Sequence, residues 1–158
     1  MSVYRDMKLI KSTNYASQAR AYSHKLALGI GSVPEVVNWA NSIASSLHTE
    51  DDCLTELVCS KQLTSKQVLV ILGQFMPPTE DDTWWRLTKK MISQALDEHT
   101  IEAVRAVSYF YDLAVDGVIP PYDREALYQF ELEYACLNEG FAEQIEVDTK
   151  VKYFFIET

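Results

Sequence analysis

Apolar residues recur every three to four positions along most of this chain, and this spacing constrains the fold more than any other feature. Such a period places the apolar side chains of each stretch on one face of an α-helix. Glycine or paired prolines interrupt the pattern at Gly29, Pro77–Pro78, Gly117 and Pro120–Pro121, and both residue types end helices. The sequence therefore predicts an all-α fold of about six to seven helices, forming an irregular bundle or a short solenoid-like stack.

Several predicted helices begin with residues that cap a helix N-terminus. Ser32 and Glu35 have the spacing of a capping box, and so do Thr64 and Gln67. The carboxylates at 80–82 directly precede two tryptophans, so they are candidates for a catalytic or metal-binding acid cluster. We interpret them instead as the cap and first turn of a helix, because carboxylates there meet unpaired backbone N–H groups and the positive end of the helix dipole. The acids that follow Thr49 have the same interpretation.

Two predicted helices dominate the second half of the chain. The stretch from Ile101 to Val115 is apolar over most of its circumference, which is typical of a helix near the centre of a domain. A last long helix is capped by Asp123 and ends at Gly140. Its predicted inward seam consists of Leu127, Phe130, Tyr134, Leu137 and Phe141.

The sequence predicts different backbone structures for the two ends of the chain. Residues 1–12 are expected to be a flexible extension of a single domain that covers residues 1–158. In residues 145–158, Val147, Val151, Tyr153 and Phe155 alternate with polar neighbours. Because a period of two is typical of extended backbone, we predict an extended C-terminal segment there.

The formal charge of −9 is spread unevenly along the chain. Residues 1–28 hold five bases and one acid, whereas residues 97–158 hold four bases and fourteen acids, a charge of −10. Such a negative field repels nucleic acid and anionic membranes, and it speeds association with a basic protein. The alternative is that the charge serves only to keep the protein dissolved.

No motif in the sequence indicates a metal, a cofactor or a nucleophile. The three cysteines have no CxxC spacing, HExxH is absent, and the GIGS stretch at 29–32 lacks the third glycine of a dinucleotide loop. We therefore expect no metal site and no cofactor. An odd number of cysteines without framework spacing indicates reduced thiols and a cytoplasmic location. No apolar run is long enough to cross a membrane.

The outward face of the last predicted helix is the candidate partner-binding site. On a helical wheel, a tyrosine and a leucine lie there within a ring of carboxylates, as in an interface anchor with a polar rim. A tryptophan on the flank of an earlier helix is a further candidate contact. The candidate residues are Glu125, Tyr128, Glu131, Leu132, Glu139 and Trp85. The alternative, in which Tyr128 and Leu132 pack beneath another part of the chain, stays open at this point.

Residues 31–75 resemble a segment of small bacterial all-helical proteins, which include immunity proteins of bacterial toxin systems. In those proteins, a helix with a Val-Val-x-Trp-Ala core precedes a short leucine-rich helix. The residues that carry the resemblance are Val36, Val37, Trp39, Ala40, Leu54, Glu56 and Leu57. It covers less than a third of the chain, and its residues are core-forming types. It implies a small bacterial protein that works by binding, and it brings no catalytic residues.

The expected function is therefore non-enzymatic: an acidic domain that binds a protein partner, as an immunity-type inhibitor binds a basic toxin or nuclease. A second reading is a structural or adaptor subunit that forms a homodimer or a larger homo-oligomer. A third is an enzyme with a polar cleft along Glu102, Arg105 and Asp112.

Overall fold

The computed structural model describes residues 2–47, 51–59, 62–75, 81–137 and 141–156, with side chains for 15–46 and 143–156 at the two ends. These residues form eight α-helices and no strand, so the all-α prediction is confirmed, with one helix more than predicted. The helices are α1 (Ser2–Ala27), α2 (Val33–Leu47), α3 (Asp52–Cys59), α4 (Ser65–Leu72), α5 (Thr83–Asp97), α6 (Ala103–Val115), α7 (Pro121–Ala135) and α8 (Phe141–Ile156).

The chain groups into two compact units, which we call unit 1 (Met1–Thr88) and unit 2 (Lys89–Thr158). The boundary between them falls within α5. The single domain and the flexible segment at residues 1–12 stay predictions.

Unit 1 is built around an aromatic and aliphatic core from α1 to α4. Tyr15, Trp39 and Phe75 are buried, and the Phe75 ring lies 5.9 Å from the Tyr15 ring and 6.1 Å from the Trp39 ring, both in edge-on geometry. The Trp39 indole N–H donates a hydrogen bond of 2.6 Å to Oε1 of Gln18. This bond satisfies the polar end of a ring whose apolar body is buried, and it links α2 to α1.

The predicted caps of unit 1 are present. The Gln67 backbone N–H donates to Oγ1 of Thr64 at 3.2 Å, and the Thr64 N–H donates to Oε1 of Gln67 at 2.9 Å, which completes the capping box. At the start of α2, the Glu35 N–H donates to Oγ of Ser32 at 3.3 Å. Asp51 caps α3, because its Oδ1 accepts the N–H of Cys53 at 2.9 Å.

The acids ahead of the tryptophan pair also act at a helix start. Oδ1 of Asp81 accepts the backbone N–H of Thr83 at 2.8 Å, and Asp82 pairs with Arg86 across one turn at 3.5 Å. The hydrogen bond from the Thr83 side chain, followed by the one from its backbone, lowers the pKa of Asp81. Glu80 lies outside the described residues. Asp81 and Asp82 therefore have the structural role that the sequence predicts for them.

A second cluster in unit 1 surrounds Trp84. The Arg20 guanidinium lies over the Trp84 ring, 4.0 Å from its centroid, and the His24 ring lies 5.4 Å from the same ring. Burial, and then the nearby positive charge of Arg20, lowers the pKa of His24 to about 4. The imidazole is therefore neutral in the folded protein at pH 7.

Unit 2 is built around α6, which packs against both α7 and α8. Ala106, Val107, Phe110 and Ala114 are buried along α6, and the Phe110 ring lies 5.8 Å from the ring of Phe155 in α8. The broad apolar surface of α6 that the sequence shows is thus covered from two sides.

The prediction of an extended segment at 145–158 is wrong for residues 145–156, which are helical. Val147, Val151 and Phe155 are buried, whereas Tyr153 is 65% exposed. Residues spaced by four lie on the same side of both a strand and a helix, so these three fit either period. Only the exposure of Tyr153 separates the two, because an alternating strand would bury it with the others.

α7 is also shorter than predicted, because it ends at Ala135 and a new helix begins at Phe141. Of the predicted seam, Leu127 is fully buried, and Phe130, Tyr134 and Leu137 are half-buried. The side chain of Phe141 lies outside the described residues. α7 and α8 pack against each other, with the rings of Phe130 and Phe154 5.6 Å apart.

A buried ion pair links three of the helices in unit 2. Nζ of Lys89 in α5 lies 2.9 Å from Oδ2 of Asp123 in α7; the Lys89 side chain is buried, and that of Asp123 is 15% exposed. The same ammonium lies 5.6 Å from the ring of Phe154 in α8 and 6.0 Å from that of Tyr122. Since burying a charge is costly unless it is paired, the carboxylate and the two rings offset the lost hydration of Lys89.

Breaking this pair should destabilise the protein strongly. We expect Lys89→Met to lower the free energy of unfolding by up to about 3 kcal/mol, because it removes the buried ammonium that faces the mostly covered Asp123 carboxylate. The double variant Lys89→Met with Asp123→Asn should recover part of that loss. A matched control is Lys150→Met, which breaks the exposed pair with Glu133 at 3.1 Å and should cost less than about 1 kcal/mol. Urea unfolding of the four proteins measures these differences, and equal losses in Lys89→Met and Lys150→Met would contradict the assignment.

His24 should make unit 1 sensitive to acid. The pKa of His24 in the folded protein is about 4, below the ordinary value of about 6.5. The unfolded chain therefore takes up a proton first as the pH falls, so stability that is present above pH 6.5 is lost between pH 6.5 and pH 4. The shift corresponds to at most about 3 kcal/mol. His24→Phe should remove this component, seen as a flatter dependence of unfolding free energy on pH; equal slopes in the two proteins would exclude it.

Candidate protein-binding surface

The negative charge of the chain is concentrated in unit 2. Residues 89–158 hold six bases and fourteen acids, a formal charge of −8, whereas residues 1–88 hold eight bases and nine acids, a charge of −1. Unit 1 is therefore close to neutral, and the acidic field of the protein arises almost entirely from unit 2.

Part of the outward face of α7 is exposed. Leu132 is 56% exposed and Tyr122 is 59% exposed, and both lie on the side of α7 that carries Glu125 and Gln129. Gln129 donates a hydrogen bond of 3.1 Å to Glu125 along this side. We call these four residues the α7 face. It combines large apolar side chains with a carboxylate, which is the combination expected of an interface.

Tyr128 is less available than the sequence suggested. Its side chain is half-buried, its hydroxyl donates a hydrogen bond of 3.1 Å to the Ala114 carbonyl oxygen, and its ring packs edge-on against Tyr111 at 5.9 Å. Tyr128 thus links α7 to α6, and only part of it can contact a partner. Glu131 is half-buried as well, and Glu139 lies outside the described residues.

Trp85 is fully buried, with its ring 5.8 Å from that of Trp84. The prediction that Trp85 contributes surface contact is therefore wrong. Adjacent residues on a helix point about 100° apart, so a helical wheel that turns Trp84 inward places Trp85 on the flank. Since both rings are buried, other residues cover the start of α5 on both of these sides.

A groove in unit 2 was not foreseen from the sequence. It has a volume of about 480 Å³ and lies between the end of α5, the start of α6 and the stretch of α8 from Gln144 to Lys152. Its lining includes four aliphatic side chains from the three helices and their connections, namely Leu96, Ile101, Val104 and Ile145. The sequence pattern predicts an extended segment at 145–158, and an extended segment does not present the helix face of α8 that forms one wall of the groove.

Charged groups line the groove beside these aliphatic residues. Glu102 and Asp148 contribute carboxylates, and Lys152 contributes an ammonium group. Asp148 is fixed in place, because its Oδ1 accepts a hydrogen bond of 2.5 Å from the Tyr134 hydroxyl. Burial, followed by this bond to Asp148, raises the pKa of Tyr134, so the phenol stays protonated and remains a donor.

The polar cleft predicted along α6 is only partly related to this groove. Glu102 lines it, whereas Arg105 and Asp112 are exposed on α6 and do not belong to its lining. The groove is therefore a different site from the predicted cleft, and the two share only Glu102.

Further features bear on other classes of site. Among the described residues, no three His, Cys, Asp or Glu side chains approach closely enough to hold a metal ion. No helix in that part of the chain has the length and apolar character needed to cross a bilayer. All three cysteines are unpaired; Cys59 and Cys136 are exposed, and burial raises the pKa of the half-buried Cys53.

No protein-family model, no curated protein and no solved structure matches this chain. The resemblance of residues 31–75 to bacterial immunity proteins is not tested by these comparisons and stays an expectation.

Proposed function

We propose that this protein is a non-enzymatic binding domain that uses unit 2 to bind a basic surface on a partner protein. The observation that carries the proposal is the charge of −8 on a unit that also exposes large apolar side chains. Negative charge alone would serve solubility. Exposed apolar groups beside it, such as Ile145 and Tyr153, are typical of a surface that is covered in a complex.

The two features have separate roles in binding. Carboxylates on unit 2 attract a basic partner over roughly the Debye length of 10 Å at 0.1 M salt, which raises the association rate. The apolar groups supply affinity when they are buried, at roughly 25 cal/mol per Å² of apolar area. An immunity-type inhibitor of a basic toxin or nuclease is the specific form that we propose, because such a partner would carry the complementary charge.

A homo-oligomeric structural subunit has less support. Two copies that met through unit 2 would bring two charges of −8 together, and like charges disfavour association. The exposed apolar residues of α7 and α8 would have to overcome that repulsion. A basic partner has the opposite electrostatic effect, since attraction adds to apolar burial.

The test compares two double variants that change the net charge by the same amount. Glu125→Gln with Glu146→Gln removes two exposed carboxylates from unit 2, and Asp52→Asn with Glu56→Gln removes two exposed carboxylates from unit 1. The probes are basic proteins encoded by adjacent reading frames, co-expressed with this chain and then studied with purified components at 20 and 300 mM salt.

We expect the unit 2 variant to slow association several-fold at low salt, and the unit 1 variant to leave the rate nearly unchanged. High salt should reduce the difference, because it screens exposed charges. The proposal is contradicted if no basic partner binds, if the association rate is independent of ionic strength, or if the two variants slow association equally.

A further inference from the structure

We propose that the groove between α6 and α8 is the primary contact site on unit 2, and that it takes a basic segment of the partner anchored by an apolar side chain. This inference rests on the proposed function and specifies where the partner binds and which chemistry it presents. The occupant is a stretch of protein in which a leucine-type side chain is flanked by lysine or arginine.

The apolar part of the groove is suited to an anchoring side chain. Of its lining residues, Leu96 and Ile101 are buried, whereas Ile145 is 51% exposed. A volume of about 480 Å³ lies within the range of roughly 300–1,000 Å³ that is usual for ligand-binding clefts. An incoming aliphatic side chain would cover Ile145 and contact the buried residues behind it. Anchors of this kind dominate the binding energy of interfaces.

The charges around the groove select the sign of the occupant. Two carboxylates, Glu102 and Asp148, line it against one ammonium group, that of Lys152. Exposed charges that directly follow or precede lining residues in sequence are also mostly acidic: four carboxylates (Asp97, Glu98, Glu143 and Glu146) against two bases (Arg105 and Lys150). A segment with more positive than negative charge therefore matches this rim, and an anionic segment would be repelled.

The groove fits the proposed occupant better than the α7 face does. On the α7 face, Tyr122 and Leu132 are exposed on a single convex helix, so a partner side chain could contact them from one direction only. In the groove, one side chain can contact residues of three structural elements at once. Hot-spot residues are found in such enclosed positions, where water is excluded from around them.

The experiment measures binding of fluorescein-labelled peptides to the full chain by anisotropy. The first peptide is a 12-residue helix former in which leucines recur at spacings of three and four and the remaining positions are lysine or arginine. The second replaces leucine with serine, and the third replaces every base with glutamate. Two matched pairs of variants complete the design: Ile145→Ser against Leu132→Ser, both exposed aliphatic residues in helices, and Glu102→Gln against Asp112→Asn, both exposed acids at α6.

We expect the leucine–lysine peptide to bind and the glutamate peptide not to bind. Serine in place of leucine, and Ile145→Ser, should each weaken binding about tenfold, as expected for an anchor of one aliphatic side chain. Leu132→Ser should change the affinity by less than about twofold. Glu102→Gln should weaken binding about threefold, and Asp112→Asn should hardly change it. Each variant removes one negative charge from unit 2, but only Glu102 lines the groove. Circular dichroism confirms that each variant is folded.

Several outcomes would overturn the inference. Equal effects of Ile145→Ser and Leu132→Ser, or of Glu102→Gln and Asp112→Asn, would show that the peptide is held by the diffuse charge of unit 2 and not by the groove. In that case the proposed function survives if the salt-dependent binding described above is observed. Absence of peptide binding overturns the groove assignment alone, whereas absence of a basic partner overturns both. If the wild-type protein dimerises and Ile145→Ser is monomeric, the groove is covered by a second copy, and the partner assignment is wrong.

Discussion

The ion pair between the buried Lys89 and the half-buried Asp123 is the interaction on which the arrangement of unit 2 depends. It joins the second part of α5 to the first turn of α7 at 2.9 Å, and the same ammonium lies 5.6 Å from the ring of Phe154 in α8. An ion pair that is also a hydrogen bond requires a particular geometry, and a buried charge must keep its partner. The Lys89–Asp123 contact therefore restricts the positions of the helices more than the apolar packing around it does. The ion pair thus helps to fix the positions of α5, α7 and α8. The end of α5 and residues 144–152 of α8 form two walls of the groove, and the start of α6 forms the third.

This arrangement separates the packing faces of unit 2 from its exposed faces. The buried faces of α6, α7 and α8 meet through aromatic contacts such as Phe110–Phe155 and Phe130–Phe154. The remaining faces carry most of the carboxylates, and Ile145 and Leu132 stay exposed among them. Each exposed charge contributes little affinity by itself. In the proposed complex, their sum would set the rate and the sign of association, while a single buried aliphatic anchor would supply a comparable or larger share of the binding free energy.

Much of the fold could be predicted from short-range patterns. One such pattern is the capping box at Thr64 and Gln67, which the structure confirms. Another is the end of a helix near Gly29 and near Gly117, where both glycines have a positive φ. The C-terminal helix could not be distinguished from a strand, because Val147, Val151 and Phe155 are spaced by four and satisfy both periods. The choice depends on packing against α6 and α7, which a local pattern does not contain.

The candidate site was harder to predict than the fold. Exposure of Leu132 followed from its place on the helical wheel, but Trp85 is buried and Tyr128 donates its hydroxyl proton to a carbonyl oxygen of α6. Both depend on neighbours that are distant in sequence. The groove brings residues 96–104 together with residues 144–152, and no spacing rule connects positions so far apart.

The central claim is that a basic partner binds unit 2 through its acidic surface, and hydrogen–deuterium exchange of the complex tests it most directly. The amide protons of residues 98–104 and 143–152 should exchange more slowly in the complex with the co-expressed basic partner than in the free protein, while those of residues 15–46 should be unchanged. Slower exchange confined to unit 1, with unit 2 unaffected, would contradict the claim.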